Sequence, residues 1–263
     1  MLSRIVVMPT ILHTGPADLL HVRFAVSPLF ETVNAVRMLD GQREGTRQHA
    51  AWLEAVGPDA TEGLDALLAL HARRGYVPDF VSPPPRSTSP SVADQLAEVR
   101  ATPPARVAHE LALCLRGWHA PAAQALLELL ARDPTSARAT LADQLELAWE
   151  RLIAPAWPRL LALLEADIAH RSNVLASRGL RGALAGLHPA VHATSDAVTL
   201  ETRPELEERD LAGEGLVLVP SAFIWPDAVV VLEPPWQPTL IYPVRGVAEL
   251  WRRRPTTPGA LGR

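Results

Sequence analysis

Apolar side chains recur at steps of three or four along most of the first three-quarters of the chain. The longest such run is LADQLELAWERLIAPAWPRLLALLEADIAHRSNVLASRG, residues 141–179. Leu141, Leu145, Trp149, Leu152, Ala156, Leu160, Leu164 and Ile168 fall on one stripe of a helix. Pro155 and Pro158 interrupt it. Each removes a backbone donor, which predicts a kink or break over 154–158. Gly179 follows the last apolar turn and suits a left-handed cap.

The rest of the helical region reads from its punctuation. Ile5, Val6 and Val7 mark a short strand within residues 1–12, and Pro16 opens a short helix running to Val22. Ser27-Pro28 starts a helix with Ser as N-cap and Pro at the first position; Leu29, Val33 and Val36 form its stripe and Gly41 ends it. Helices over 47–56 and 61–74 stop at Gly57-Pro58 and Gly75. Residues 82–91, SPPPRSTSPS, read as an exposed loop, in part polyproline II, with a domain linker as the alternative. Helices resume over 92–100, 104–116, 121–132, 135–154 and 158–178, and a last short one over 179–187 ends at Pro189.

The pattern changes after Pro189. Val198–Glu201, Gly215–Pro220, Ala228–Glu233 and Thr239–Tyr242 are short, rich in Val, Leu and Ile, and separated by turn formers. This predicts an α+β chain: a mainly helical N-terminal three-quarters followed by a small antiparallel β meander. Residues 1–245 are expected to form one domain with its sheet over 195–243. Residues 246–263 are expected to be a short helix carrying Trp251 and a tail.

Composition narrows the function classes. The chain has 263 residues, 48% of them apolar and 21% charged, which fits a globular protein with a real core. A net charge of -4 lacks the overall footprint of a nucleic-acid binder, although Arg252, Arg253 and Arg254 make a local basic patch. All 25 basic residues are Arg. A single cysteine, Cys114, excludes an intramolecular disulfide and reads as a small buried thiol. No apolar run approaches the roughly 20 residues that span a bilayer, and Pro9 breaks the apolar start too early for a secretory signal. No membrane partner is expected, and the chain reads as cytoplasmic.

Catalytic signatures are weak. His188 and His192 stand four apart, but Pro189 lies between them at a helix end, so no metal site is expected. Glu165, Asp167 and His170 lie close on the main helix, and Asp167 with Arg171 reads as a surface i,i+4 ion pair. Ser221 lacks the flanking glycines of a nucleophile elbow, and Gly179, Gly182 and Gly186 punctuate a helix instead of cradling a phosphate. Residues 91–116 carry a faint helix-turn-helix pattern. Its second helix offers only Arg106 and His109 as polar readers, so an ordinary hairpin is expected. No catalytic residue and no cofactor is assigned. The aromatic residues suggest more: Trp149, Trp157, Phe223, Trp225, Trp236 and Tyr242 would meet if the sheet packs on the central helices. They are the candidate lining of a small-molecule pocket, with an aromatic core as the alternative.

Five segments carry a family likeness: VRFAVSPLFETVNAVRML at 22–39, RGYVPDFVSPPP at 74–85, APAWPRLLALLEADIAHR at 154–171, LHPAV at 187–191, and GLVLVPSAFIWPDAVVVLEPPWQPTLIYPVRGVAELW at 215–251. Together they resemble the N-terminal, non-DNA-binding region of actinobacterial ArsR-like winged helix-turn-helix transcriptional regulators. In that family a winged helix follows the segment matching residues 246–263, so DNA would be reached only through a domain absent from this chain. The resemblance implies an effector-sensing and dimerisation region, with a homodimer and a small-molecule effector as partners. Cys114 stands alone, without the paired-cysteine box of metal-sensing members. The alternative is a stand-alone small-molecule or protein-binding module with no DNA role.

Overall fold

The computed structural model describes residues 8–39, 46–71, 75–203 and 207–251. Ile5–Val7, Gly41 and Arg252–Arg254, used above, lie outside the described residues. The chain is α+β. It opens with strand β1 (Met8–His13), the short helix α1 (Pro16–Leu19), strand β2 (Arg23–Phe24) and helix α2 (Pro28–Met38). The Ser27 side chain accepts the Phe30 N–H at 3.2 Å, so the Ser-Pro start behaves as its sequence predicts. Helices α3 (Ala50–Val56), α4 (Asp65–Ala69), α5 (Val92–Ala101), α6 (Pro104–Cys114), α7 (Pro121–Arg132) and α8 (Pro134–Ala148) follow, with 3₁₀ turns at Thr46–His49 and Pro58–Thr61.

The long stripe does break where prolines demand it. A π-helical stretch, Trp149–Ile153, and a 3₁₀ turn, Ala154–Ala156, separate α8 from α9 (Trp157–Leu184). The distortion lies mostly before the prolines because a proline ring collides with the carbonyl four residues earlier. Gly179, with φ +68°, divides α9 into a long arm and a last short one.

Strands β3 (Val191–Ala193), β4 (Ala197–Arg203), β5 (Glu207–Asp210), β6 (Val217–Ser221), β7 (Val229–Val231) and β8 (Thr239–Pro243) come next, then α10 (Val247–Leu250). They do not form a single antiparallel meander. Two mixed four-stranded sheets form, in the orders β3-β4-β1-β5 and β2-β6-β8-β7. β6 pairs parallel with both β2 and β8, and β1 pairs parallel with β5. The reason is burial. VLVPS and TLIYP are buried at every position, so the second sheet is covered on both faces, the environment that parallel pairing requires. One face shares a core with Leu12, Val198 and Leu200 of the first sheet, and the other packs on Phe30 of α2. The helices enclose a third, larger core around Leu67, Leu111, Leu141, Leu145 and Leu160.

The proline segment corrects the expectation of an exposed loop. Ser82–Pro85 are buried, and exposure begins at Arg86. Prolines bring no N–H to satisfy, and the carbonyls of Pro83 and Pro85 accept from Gln95 and Arg23. Gln95 also binds the Leu29 N–H and Ser27, which fixes the segment on α2.

Candidate ligand-binding clefts

The six aromatic residues do not converge on one pocket. Trp149 and Trp157 meet edge-to-face at 5.1 Å on either side of the helix break. Phe223 is buried elsewhere, stacked on His49 at 4.6 Å and beside Trp52 and Trp251. Trp225 is exposed and touches only the His188 ring, at 6.1 Å, among ring contacts of the described residues. Tyr242 is fully buried, its hydroxyl donating to Asp167 at 2.9 Å. Of the six, Trp236 alone lines one of the two clefts described next. Only Tyr242 lies in a strand; Phe223, Trp225 and Trp236 stand in the loops around β7 and Trp149 and Trp157 at the helix break, so each ring follows its own segment.

The first cleft, about 770 Å³, lies between α3 and the helix break. Trp52, Leu152, Pro155, Ala156 and Trp251 line it, with Arg151 and Arg159 at its side. Trp251, just after α10, is held there by its indole N–H, which donates to Nδ1 of His49 at 3.1 Å. The Trp52 N–H donates to the Leu152 carbonyl at 3.0 Å, inside the π-helical stretch whose own hydrogen bonding is irregular. Behind this wall sits Glu31 of α2, fully buried, accepting the Ala222 N–H at 3.1 Å. Burial pushes the Glu31 carboxyl up to about 8, against hydrogen bonds from Ser221, Ala222 and Phe223. Burial also holds the His49 imidazole down at about 4, opposed by the Ala222 backbone.

The second cleft, about 860 Å³, separates α5 and α6 from the 233–236 loop. On α6, Val107, Leu111 and Cys114 face the core, which turns Arg106 and His109 toward the cleft. The two polar positions of the faint helix-turn-helix pattern therefore line a cleft covered by the loop that carries Trp236. Glu110, one position before Leu111, sits on the buried edge of the stripe. It accepts the Trp236 N–H at 2.9 Å and the Phe80 N–H at 2.8 Å. Burial raises its carboxyl above the usual range against these bonds. Sequence reasoning missed Glu110; its place beside an apolar stripe was the available signal.

The remaining candidates are occupied or apart. His188 contacts the Pro226 carbonyl through Nε2 at 2.7 Å and accepts the Ala190 N–H at Nδ1, while His192 is exposed on β3. Among the described residues no group of three or more His, Cys, Asp and Glu is placed to hold a metal. Glu165 and His170 are exposed, whereas Asp167 and Arg171 form a buried pair at 3.6 Å, not the expected surface one. Tyr242, from a strand distant in sequence, covers it. Cys114 is buried, with its thiol pushed up to about 12 by burial, as an inert core cysteine should be. No helix among the described residues is long and apolar enough to cross a membrane.

Residues 79–248 match a family of unknown function (DUF5937). The chain belongs to that family. The matched span contains every residue lining the Trp236 cleft, whereas Trp52 and Trp251 fall outside it. No curated protein and no solved structure matches the chain.

Proposed function

We propose that this DUF5937 chain is the effector-sensing and dimerisation region of an ArsR-like transcriptional regulator, acting in the cytoplasm. One observation carries the reading: Trp251 is at once a wall of the 770 Å³ cleft and an anchor of α10, through its bond to His49. In the regulators this chain resembles, the winged helix follows that segment. A molecule filling the cleft contacts the indole directly, so its binding energy differs between positions of α10. Such a difference is what a population shift requires. In a symmetric dimer, the position of α10 in each copy then sets the spacing of two DNA readers.

The neighbouring chemistry supports sensing over turnover. Glu31 and His49 are buried behind the indoles, and both are engaged with the 221–223 backbone or with Trp251. The test is selection from random duplex DNA with the product of the complete open reading frame, paired with light scattering. Enrichment of a two-fold symmetric site by a dimer is expected. A monomer that enriches nothing overturns the proposal and leaves a binding module with no DNA role.

A further inference from the structure

We propose that the Trp236 cleft binds a small aromatic carboxylic acid as its monoanion. Its volume of about 860 Å³ suits a small molecule. One wall is apolar, built from the Trp236 indole with Ala101, Pro103 and Ala105. That indole is locked before any ligand arrives. Its N–H is held by Glu110 at 2.9 Å, and Glu110 is held in turn by the Phe80 N–H at 2.8 Å. A flat ring laid on a fixed indole gains stacking without ordering the wall.

The charged groups set the polar end of the ligand. Arg106 faces the cleft with five N–H donors. Among the described residues the nearest carboxylate to its guanidinium is Glu110, 3.8 Å from Nε, which is too long for a hydrogen bond. The other basic groups at the rim lie nearer carboxylates: Arg86 pairs with Glu98 through Nε at 3.2 Å, and His109 stands 3.8 Å from Glu233. A carboxylate in the cleft therefore meets the Arg106 guanidinium, which can present two parallel N–H donors to it. Glu98 and Glu233 on the same rim repel a second negative charge, which disfavours phosphate esters and other polyanions. This assignment stands on the cleft alone, so it survives or fails independently of DNA binding.

Calorimetric titration of the chain with benzoate, naphthoate and indoleacetate, each beside its primary amide, tests it. At least one acid binds, and its amide binds at least tenfold more weakly. Arg106→Gln abolishes that preference with an unchanged melting temperature. Arg106→Lys, which keeps the charge without the fork, retains part of it. Trp236→Phe weakens acid and amide alike. The proposal is overturned if no acid binds at millimolar concentration, if amides match acids, or if both Arg106 variants leave the preference intact. Tighter binding of tryptamine than of indoleacetate also overturns it, because the cleft would then select a cation.

Discussion

The Tyr242 hydroxyl donates a 2.9 Å hydrogen bond to Oδ2 of Asp167 and so joins the buried strand β8 to helix α9. Arg171 completes the node. Its Nε lies 3.6 Å from the same oxygen, and its guanidinium stands 5.6 Å from the centre of the Tyr242 ring. Its Nη1 donates to the carbonyls of Ala183 and Ala185, beyond the break at Gly179. One buried pair thus ties the sheet to both arms of α9.

Removing either side of that node gives different losses. Asp167→Ala strands a buried guanidinium and is expected to destabilise the fold by about 3–5 kcal/mol. Tyr242→Phe leaves the ion pair in place and costs about 1.5–3 kcal/mol, the worth of one hydrogen bond to a charged group. Urea unfolding of the two variants checks the order. Equal small losses would show that the node does not bear on stability.

The pH dependence follows from Glu31 and His49. Glu31 rises from 4.5 to about 8 on folding, so between those values the folded state holds the extra proton and stability falls as pH rises. His49 falls from 6.5 to about 4, so between those values the unfolded state holds the extra proton and stability falls as pH drops. The two slopes oppose each other between pH 4.5 and 6.5, which predicts a plateau there. From pH 6.5 to 8 only Glu31 of the pair still titrates, and stability declines by about 2 kcal/mol, at about 1.4 kcal/mol per unit. Glu110, also raised from 4.5 by burial, contributes a decline of the same sign that begins above pH 4.5. Chemical denaturation across this range should show a shallower decline for Glu31→Gln; an identical decline would remove Glu31 as its source.

Gly215 separates strain from collision. Its φ is +73°, and a Cβ there would stand 2.4 Å from the His21 carbonyl oxygen. Gly57 has a φ of +77° with nothing within 4 Å of such a Cβ. Gly57→Ala is expected to cost about 1 kcal/mol from backbone strain, and Gly215→Ala about 3 kcal/mol or more because the backbone at His21, in the turn between α1 and β2, must shift as well. Melting temperatures of the two variants give the comparison directly.

Helices were legible because each carries its own signals. Ser27-Pro28, the apolar stripe from Leu141, the prolines at 155 and 158, and Gly179 act within a few residues of themselves, and the structure places a start, a helix, a distortion and a break there. Sheet pairing is a long-range matter. β1 and β2 join strands nearly two hundred residues away, which no local pattern announces. The continuous apolar runs of β6 and β8 did carry a signal for two covered faces and parallel pairing, unlike the alternating Val198 and Leu200 of β4. The clefts were legible only in part. Trp236 was among the candidate aromatics, but its partner Glu110 and the cleft wall of Trp52 and Trp251 depend on how distant elements meet.

Glu110 is the residue through which stability and ligand binding in the Trp236 cleft are separable. Glu110→Ala leaves the buried Phe80 N–H and the part-buried Trp236 N–H without an acceptor. At about 1–3 kcal/mol for the buried donor and less for the indole, which lines the cleft, the variant is expected to lose about 2–4 kcal/mol. Glu110→Gln keeps one acceptor oxygen and turns an NH₂ toward the other donor, so about half of that loss remains. The amide also takes away the partial counter-charge 3.8 Å from Arg106. A carboxylate ligand should then bind Glu110→Gln at least as tightly as the wild type, even though the fold is weaker. Calorimetry and denaturation on the same preparation give the two readings. Loss of both in parallel would mean that Glu110 acts on the ligand only by holding the wall in place.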